Sequence, residues 1–584
     1  MSMKKVRPMV PPVSLRPTVT GKDHAVSCGH YLGAMAAMRV LDRGGNAIDA
    51  GVTASMALAI LQPDIVSFAG VAPTLIYVKN EERVVSLAGL GWWPAATDVE
   101  RLRREGDGIV PEGLLRTVMP AAPATHIEAL RRWGTISFEE AATPAMELAR
   151  DGYVVYPVLA NNLAARAERI RRWPQNAAIY LPGGRPPAVG EVFRQADLAR
   201  TLGAMIEAER RAPGARQQKL RAAHDHFYRG PIADAIANYH SENGGFVTRD
   251  DLAAFEAPVE NSISVRYQNY EVHSCDVWCQ GVALLQALKT LEGCDLKSHA
   301  HNSPDYLHLV IEALNLAFAD REAYVGDPKF VTVPTAALLS ETYAARQLAR
   351  IDMKRAFGRM PDAGDPGNTR RAGAAAHEVY AQARGRNGVS PDTIYCCTMD
   401  RHGNAYSATL SDASDDTPTI PGTGLAISSR GCQSRLTPGH PAEVKPGKRP
   451  RLTPSPALAM LDGKPFMTLG TPGGDVQQQS MLQVFLNVTQ FSMAMQQAIE
   501  APRAYTASFP NSFAPHEYYP GRLNLDGHIP AGIADELGRR GHDVQVWPPF
   551  PTAGGAVCAI KRDPATGRLH AGADPRREAY AMAW

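Results

Sequence analysis

The sequence predicts an α+β fold, on three observations. Two long segments carry apolar residues at helical spacing behind good capping residues, a strand–turn–strand unit begins at Thr393, and a later strand runs through a double glycine into a helix. The first helix starts behind Asn46, whose side chain can cap the first turn with Asp49 three residues on; Ile48, Val52, Met56 and Ile60 then recur every fourth residue until Pro63 stops it. Ser303-Pro304 opens another helix, with Leu307, Val310, Ile311, Leu314 and Phe318 on one face. Both stripes are expected to pack as core against sheet.

From about Lys354 to Ser390 the periodicity vanishes into a run rich in Gly, Ala, Pro and Arg with almost no large apolar residues. Such a segment cannot offset its ordering entropy and is expected to be mobile. It leads straight into Thr393-Ile-Tyr-Cys-Cys-Thr-Met-Asp400, an expected strand, then a polar turn at Asp400–Asn404 and a second strand from Ala405. The last signal is a strand at Phe466–Leu469, followed by Gly473-Gly474 and a helical pattern from Asp475. No internal repeat is found.

Composition narrows the functional classes. A chain of 584 residues, 45% hydrophobic and 21% charged, can bury one large core or two interlocked ones without disulfides or a metal. A net charge of +2 gives no general attraction to nucleic acid or acidic membranes. The N-terminal stretch has basic residues but no apolar run for a signal peptide, and no segment approaches the roughly eighteen apolar residues of a membrane span, so a cytoplasmic location is expected. The eight cysteines fit that compartment as unbridged packing residues. Cys275 and Cys279 lack a second Cys/His pair at metal-finger spacing, and the adjacent Cys396 and Cys397 must point to opposite strand faces. Neither a G-x-S-x-G elbow, a Walker loop nor a G-x-G-x-x-G is present, which removes the signatures of serine esterases, NTPases and dinucleotide enzymes.

Thr393 is a candidate nucleophile if the chain is cut in front of it. A hydroxyl needs a base to attack an amide, and an N-terminal threonine carries one in its own α-amine, with an unperturbed pKa of about 7.7–8.0. Before cleavage that amine is locked in the Asp392–Thr393 peptide bond. The hydroxyl would first attack the Asp392 carbonyl, shift the acyl group from N to O, and lose the ester to water. Gly473-Gly474 add a second element. Backbone N–H groups at a helix entrance carry the positive end of the dipole, and glycine lets a reacting carbonyl approach them closely. Taken singly, an ordinary strand-edge threonine and a structural glycine turn explain these residues as well.

The motifs combine further. The pattern T-x-x-x-x-x-x-D-x-x-G-N-A from Thr393, Lys448-Arg449-Pro450 before Ser455-Pro456, and Gly470-Thr471-Pro472-Gly473-Gly474 follow in order, preceded by Gly44-Gly45-Asn46-Ala47-Ile48-Asp49-Ala50, Ala149-Arg150-Asp151-Gly152 and Leu316-Ala317-Phe318-Ala319-Asp320-Arg321. This set resembles the γ-glutamyltransferase family of N-terminal-nucleophile (Ntn) hydrolases, from about His24 to the end of the chain. The resemblance implies a four-layer αββα sandwich of two stacked, mainly antiparallel sheets, with Thr393 opening a central strand. It implies segments 1–392 and 393–584 interleaved in one fold, a heterodimer of the chain's own fragments that can itself pair. No cofactor or metal is implied, and the partner is a small-molecule amide. Gly473 and Gly474 match the family's oxyanion glycines, and Ser411 falls where the family often has a second threonine bonded to the first. Thr453 falls in the hydroxyl-bearing segment beside the acyl group, with Leu452 in place of a common serine.

Departures from the family concern the glutamyl charges. Leu90, in Gly89-Leu90-Gly91-Trp92-Trp93-Pro94, stands where relatives carry a carboxylate-binding arginine, and Gln433 stands where they carry an ammonium-binding aspartate. Unpaired charges are costly to desolvate, so another acyl group is expected. Trp92 and Trp93 then either wall an apolar acyl pocket or simply pack, and Arg430, Arg435 and Arg451 remain candidates for a carboxylate elsewhere on the substrate. The expected function is a self-processing amidohydrolase or acyltransferase acting on a non-γ-glutamyl N-acyl compound. The alternatives are a true γ-glutamyltransferase or glutathione hydrolase, and an uncleaved binding protein, suggested by the altered segment Val66–Pro73.

Overall fold

The computed structural model describes residues 14–367 and 393–584. Two seven-stranded antiparallel sheets form its centre. One runs Val19–Gly21, Leu569–Ala573, Cys558–Arg562, Lys464–Gly470, Ala457–Leu461, Tyr270–Ser274 and Ile263–Tyr267 in spatial order. The other runs Tyr580–Ala583, Ala25–Cys28, Thr393–Met399, Ala405–Ser411, Thr74–Val78, Arg83–Leu87 and Val259–Asn261. Helices cover both outer faces, giving the expected αββα layers.

Both expected helices form, and for the expected reasons. Asn46 accepts from the N–H groups of Ile48 and Asp49 while Asp49 accepts from the Asn46 N–H, and the helix runs Ala47–Leu61. It is buried on every side rather than along one stripe. Its small residues allow this: a methyl on Gly51 would lie 2.1 Å from the Tyr406 ring, so the helix rests directly on the sheet. Ser303 caps the 21-residue helix Pro304–Tyr324, which packs under the other sheet with Gly281–Glu292 and Gln477–Thr489.

The strand Thr393–Met399 alternates as a strand between two buried layers must. Ile394 and Cys396 join the helix-side core, whereas Tyr395, Cys397 and Met399 join the core between the sheets. The two adjacent cysteines thus take opposite faces. By the same parity Thr393 lies on the inter-sheet side. The loop Lys354–Gly367, the first part of the stretch expected to be mobile, has no helix but is tied down: Ala356 N–H donates to Arg540 O, Met360 N–H to the Tyr518 hydroxyl and Gly364 N–H to Asp320 Oδ1. The rest of that stretch, and Asp392, lie outside the described residues.

Candidate active site

Thr393 is the first residue of its strand and is fully buried. Its cross-strand partner is Ser411, the last residue of the next strand, and the two hydroxyls sit 2.9 Å apart. Direct pairing across an antiparallel ladder puts both side chains on one face, so this contact follows from register alone. The altered segment Val66–Pro73 contributes to that register, because Val71 and Ser411 exchange backbone hydrogen bonds of 3.4 and 3.1 Å.

Beyond Ser411 the chain turns at Asp412, whose φ of 101° is a conformation that side-chain-bearing residues rarely adopt. Its carboxylate accepts from the Ser428 hydroxyl at 2.7 Å and from the Ser429 N–H and hydroxyl at 3.1 Å each, and pairs with Arg430 Nε at 3.1 Å. Arg430 is thereby delivered to Ser411, to whose Oγ it donates through Nη2. This guanidinium lies 5.3 Å from the centre of the Phe513 ring, and Ala514 N–H holds the Phe513 segment to Cys432 O at 3.0 Å.

Phe513 leads to the glycine turn. A methyl on Gly474 would come within 3.0 Å of Phe513 Cε2, so the ring lies against this backbone. The turn follows the strand Lys464–Gly470, with Gly473 at φ 119° and Gly474 at φ 57°, and a single 3₁₀ turn precedes the helix at Gln477. Neither the Gly473 nor the Gly474 N–H donates to any described residue. Two adjacent amides at a helix entrance with unused hydrogens form a place for a negative oxygen.

The turn is anchored from behind. Asp475 accepts from the Ser512 N–H and hydroxyl at 2.7 and 2.6 Å and from buried Arg321. Arg321 also donates to Gln280 Oε1 at 2.8 Å, and Gln280 Nε2 in turn reaches Gly474 O at 3.1 Å and Thr453 O at 3.3 Å. One amide side chain therefore fixes the glycine turn relative to the Thr453 segment. Thr453 and Gln433 pair twice, Gln433 Nε2 donating to Thr453 Oγ1 at 2.7 Å and Thr453 N–H to Gln433 Oε1 at 3.3 Å.

Arg435 and Arg451 turn away to Glu322, at 3.3 and 2.5 Å, beside Arg321 at 2.8 Å. Burial by itself would push the Glu322 carboxyl up; the guanidiniums of Arg451, Arg321 and Arg435 outweigh it and hold the group well below the usual carboxylate range.

The structure thus joins Thr393, Ser411, Arg430, Gly474, Thr453 and Gln433 through a few direct contacts. It does not bring Trp92 to them. That ring packs 4.8 Å from Phe255 in the helix-side core, because its neighbour Trp93 takes the inner position, donating to Ser434 Oγ at 3.0 Å and lying against Gly431. Trp93 therefore braces the turn that carries Arg430 and Gln433. Leu90 is fully buried in the inter-sheet apolar cluster with Tyr395, Trp278 and Leu452. Sequence reading missed Asp412, Gln280 and Phe513. Only Asp412 had a signal, as the acidic residue directly after Ser411.

Comparison with known proteins gives the family and the fold. Residues 33–584 match the family described as Gamma-glutamyltranspeptidase. The chain is 31% identical to the Acylase ACY 1 proenzyme of Pseudomonas sp. (strain SE83), over 93% of this chain and 91% of that one. It is 28% identical to the Glutathione hydrolase proenzyme of Bacillus subtilis (strain 168), over 96% and 92%. The solved cephalosporin acylase from Bacillus halodurans superposes with a TM-score of 0.84 at 28% identity, covering 100% of this chain and 99% of its own. The fold and these relatives define an enzyme of the amide hydrolase and acyltransferase class. The chain belongs to the γ-glutamyltranspeptidase family of Ntn hydrolases.

Proposed function

We propose that the protein is a self-processing amidohydrolase that cleaves an N-acyl amide other than a γ-glutamyl one through an acyl-Thr393 intermediate. The observation that carries this reading is the buried Thr393–Ser411 hydroxyl pair at 2.9 Å, placed at the start of a central strand and linked through Arg430 and Phe513 to the glycine turn. In the proposed reaction the Thr393 hydroxyl attacks the Asp392 carbonyl, and water releases the new N-terminus. The freed amine then accepts the Thr393 proton as the hydroxyl attacks a substrate carbonyl. The Gly473 and Gly474 amides take the oxyanion, the amine product leaves with that proton, and water or an acceptor amine resolves the ester. Ser411 orients the nucleophile. That two relatives are proenzymes supports the cut.

The acyl preference rests on Leu90 and Gln433. A leucine in an apolar cluster offers a carboxylate nothing, and an amide already paired with Thr453 offers an ammonium no charge. Two predictions test the reading. Denaturing electrophoresis is expected to resolve the 63.0 kDa chain into pieces of 392 and 192 residues, the smaller beginning at Thr393, with Thr393→Ala abolishing both cut and turnover. A single intact band after prolonged incubation of the unaltered chain refutes self-processing. Apolar acyl anilides are expected to turn over faster than a γ-glutamyl anilide; equal or reversed rates favour the γ-glutamyltransferase reading that the Bacillus subtilis relative suggests.

A further inference from the structure

His308 and Glu312 stand four residues apart on the helix Pro304–Tyr324 and so share one face. His542, in the turn between the helix Ala531–Arg539 and the strand Asp543–Val546, meets them. All three are buried, at 0%, 1% and 7% exposure. His308 Nδ1 lies 2.9 Å from His542 Nε2, which lies 3.8 Å from Glu312 Oε1, and the three candidate donor atoms fall within 4.8 Å of one another. We propose that these residues form a binding site for a divalent transition-metal cation of the zinc(II) type, separate from the Thr393 site.

The hydrogen bonds around the cluster favour an ion. His308 Nε2 is 3.0 Å from the Asp352 carbonyl, which only accepts, so the ring proton sits on Nε2 and the Nδ1 lone pair accepts from His542 Nε2–H; an ion takes the place of that hydrogen bond once the His542 proton moves to its Nδ1. A backbone carbonyl holding the far nitrogen is the usual support of a metal-bound histidine. Glu312 is oriented in the same way, accepting from the Phe357 N–H at 3.3 Å and from Asn315 Nδ2 at 3.4 Å. Two imidazoles and a carboxylate are a zinc ligand set that leaves a position for water. Metal–nitrogen bonds of about 2.0–2.1 Å at a tetrahedral angle separate two nitrogens by roughly 3.3 Å, so binding asks the histidines to part by only a few tenths of an ångström. Arg540, whose charge bears on both histidines, is committed to Asp305, Glu536 and the Met353 carbonyl.

The placement gives the site a purpose. His308 and Glu312 belong to the segment before the proposed cut and His542 to the segment after it, so one ion ties the two products together. This clamp role rests on the self-processing reading; metal binding does not. The test uses untagged full-length protein stripped with chelator and then titrated with cobalt(II) and zinc(II), in the unaltered and the Thr393→Ala forms. About one equivalent of zinc retained per chain after gel filtration, visible d–d bands with cobalt, and a Tm raised by several degrees on adding zinc are expected in both forms. A tenth of an equivalent or less, with no bands and an unchanged Tm, overturns the proposal. Glu312→Gln and His542→Gln, which keep shape and hydrogen-bonding capacity, are each expected to weaken retention at least tenfold while circular dichroism stays native. Unweakened binding in both variants places the ion elsewhere and overturns the site. Loss of binding with intact processing leaves the Thr393 reading untouched.

Discussion

Gly473→Ala separates a catalytic glycine turn from a merely tight one. At φ 119° and ψ 20° the residue lies outside the small left-handed region open to other amino acids. Space is the smaller obstacle, since the nearest atoms to an added methyl, Val476 Cβ at 3.3 Å and Cγ1 at 3.4 Å, need to give by only a few tenths of an ångström. The backbone therefore either keeps its shape at a cost of about 1–3 kcal/mol in stability, or relaxes by turning the peptide plane. Relaxation moves an N–H away from the developing oxyanion, and loss of one such donor costs about 2.7–4 kcal/mol, a 10²–10³-fold fall in kcat. The expected outcome is a fall in kcat of about 10²-fold with KM little changed, because the oxyanion exists only in the transition state. Amine release from an apolar acyl anilide measures turnover, and electrophoresis of the same sample reports how much chain has been cut, so that slow maturation is not mistaken for slow catalysis. Gly474→Ala is the companion: at φ 57° an alanine carries roughly 1–2 kcal/mol of left-handed backbone strain, and the Phe513 ring edge at 3.0 Å must give way as well. A fully cut Gly473→Ala enzyme with an unchanged Tm, and so a relaxed turn, whose kcat stays within about threefold of the parent refutes the oxyanion assignment, since that leaves under about 1 kcal/mol for the amide.

Two further predictions follow from the surroundings of the nucleophile. Ser411→Ala removes the hydroxyl 2.9 Å from Thr393 Oγ1 and is expected to lower kcat about five- to tenfold, the worth of roughly 1 kcal/mol, with Ser411→Thr retaining most activity; an alanine variant at parental rate removes Ser411 from the mechanism. Glu322 has its pKa depressed in the fold, so its stabilising contribution is complete above about pH 4.5 and is lost as the pH falls through its folded value. The Tm should drop on acidification below that range, and Glu322→Gln should flatten that slope while costing about 3–5 kcal/mol near pH 7, because the buried guanidiniums of Arg435 and Arg451 lose the Glu322 anion and Arg321 keeps only Asp475. An unchanged acid limb in the variant assigns the loss to other carboxylates.

Legibility in the sequence followed the range of the interactions. The Asn46 and Ser303 caps, the hairpin from Thr393 and the Gly473-Gly474 turn are local patterns, and each formed where the residues placed it. The Thr393–Ser411 contact was expected only from the family resemblance; its physical reason in the structure is that a hairpin turn sets the register of its strands. Gln280 and Phe513 carried no local mark, since they reach Gly474 from 194 residues upstream and from beyond the next helix. The tandem tryptophans were ambiguous for a physical reason: adjacent residues must face opposite ways, and only the surrounding layers decide which ring goes inward. The loop from Lys354 looked unable to order itself because it lacks apolar residues, yet its described part is held by polar bonds to distant segments, which hydropathy does not register.

The two sheets draw strands from both sides of residue 392. Four of seven in the Thr393 sheet precede it and three follow; in the other sheet three precede and four follow. Thr393–Met399 itself is flanked by Ala25–Cys28 on one edge and Ala405–Ser411 on the other. A polypeptide broken there holds its shape only because it acquired that shape while whole, and once melted its halves must find each other by diffusion. If the proposed cut is made, heat inactivation of the two-piece enzyme is expected to be irreversible, and its durability a half-life rather than an equilibrium free energy.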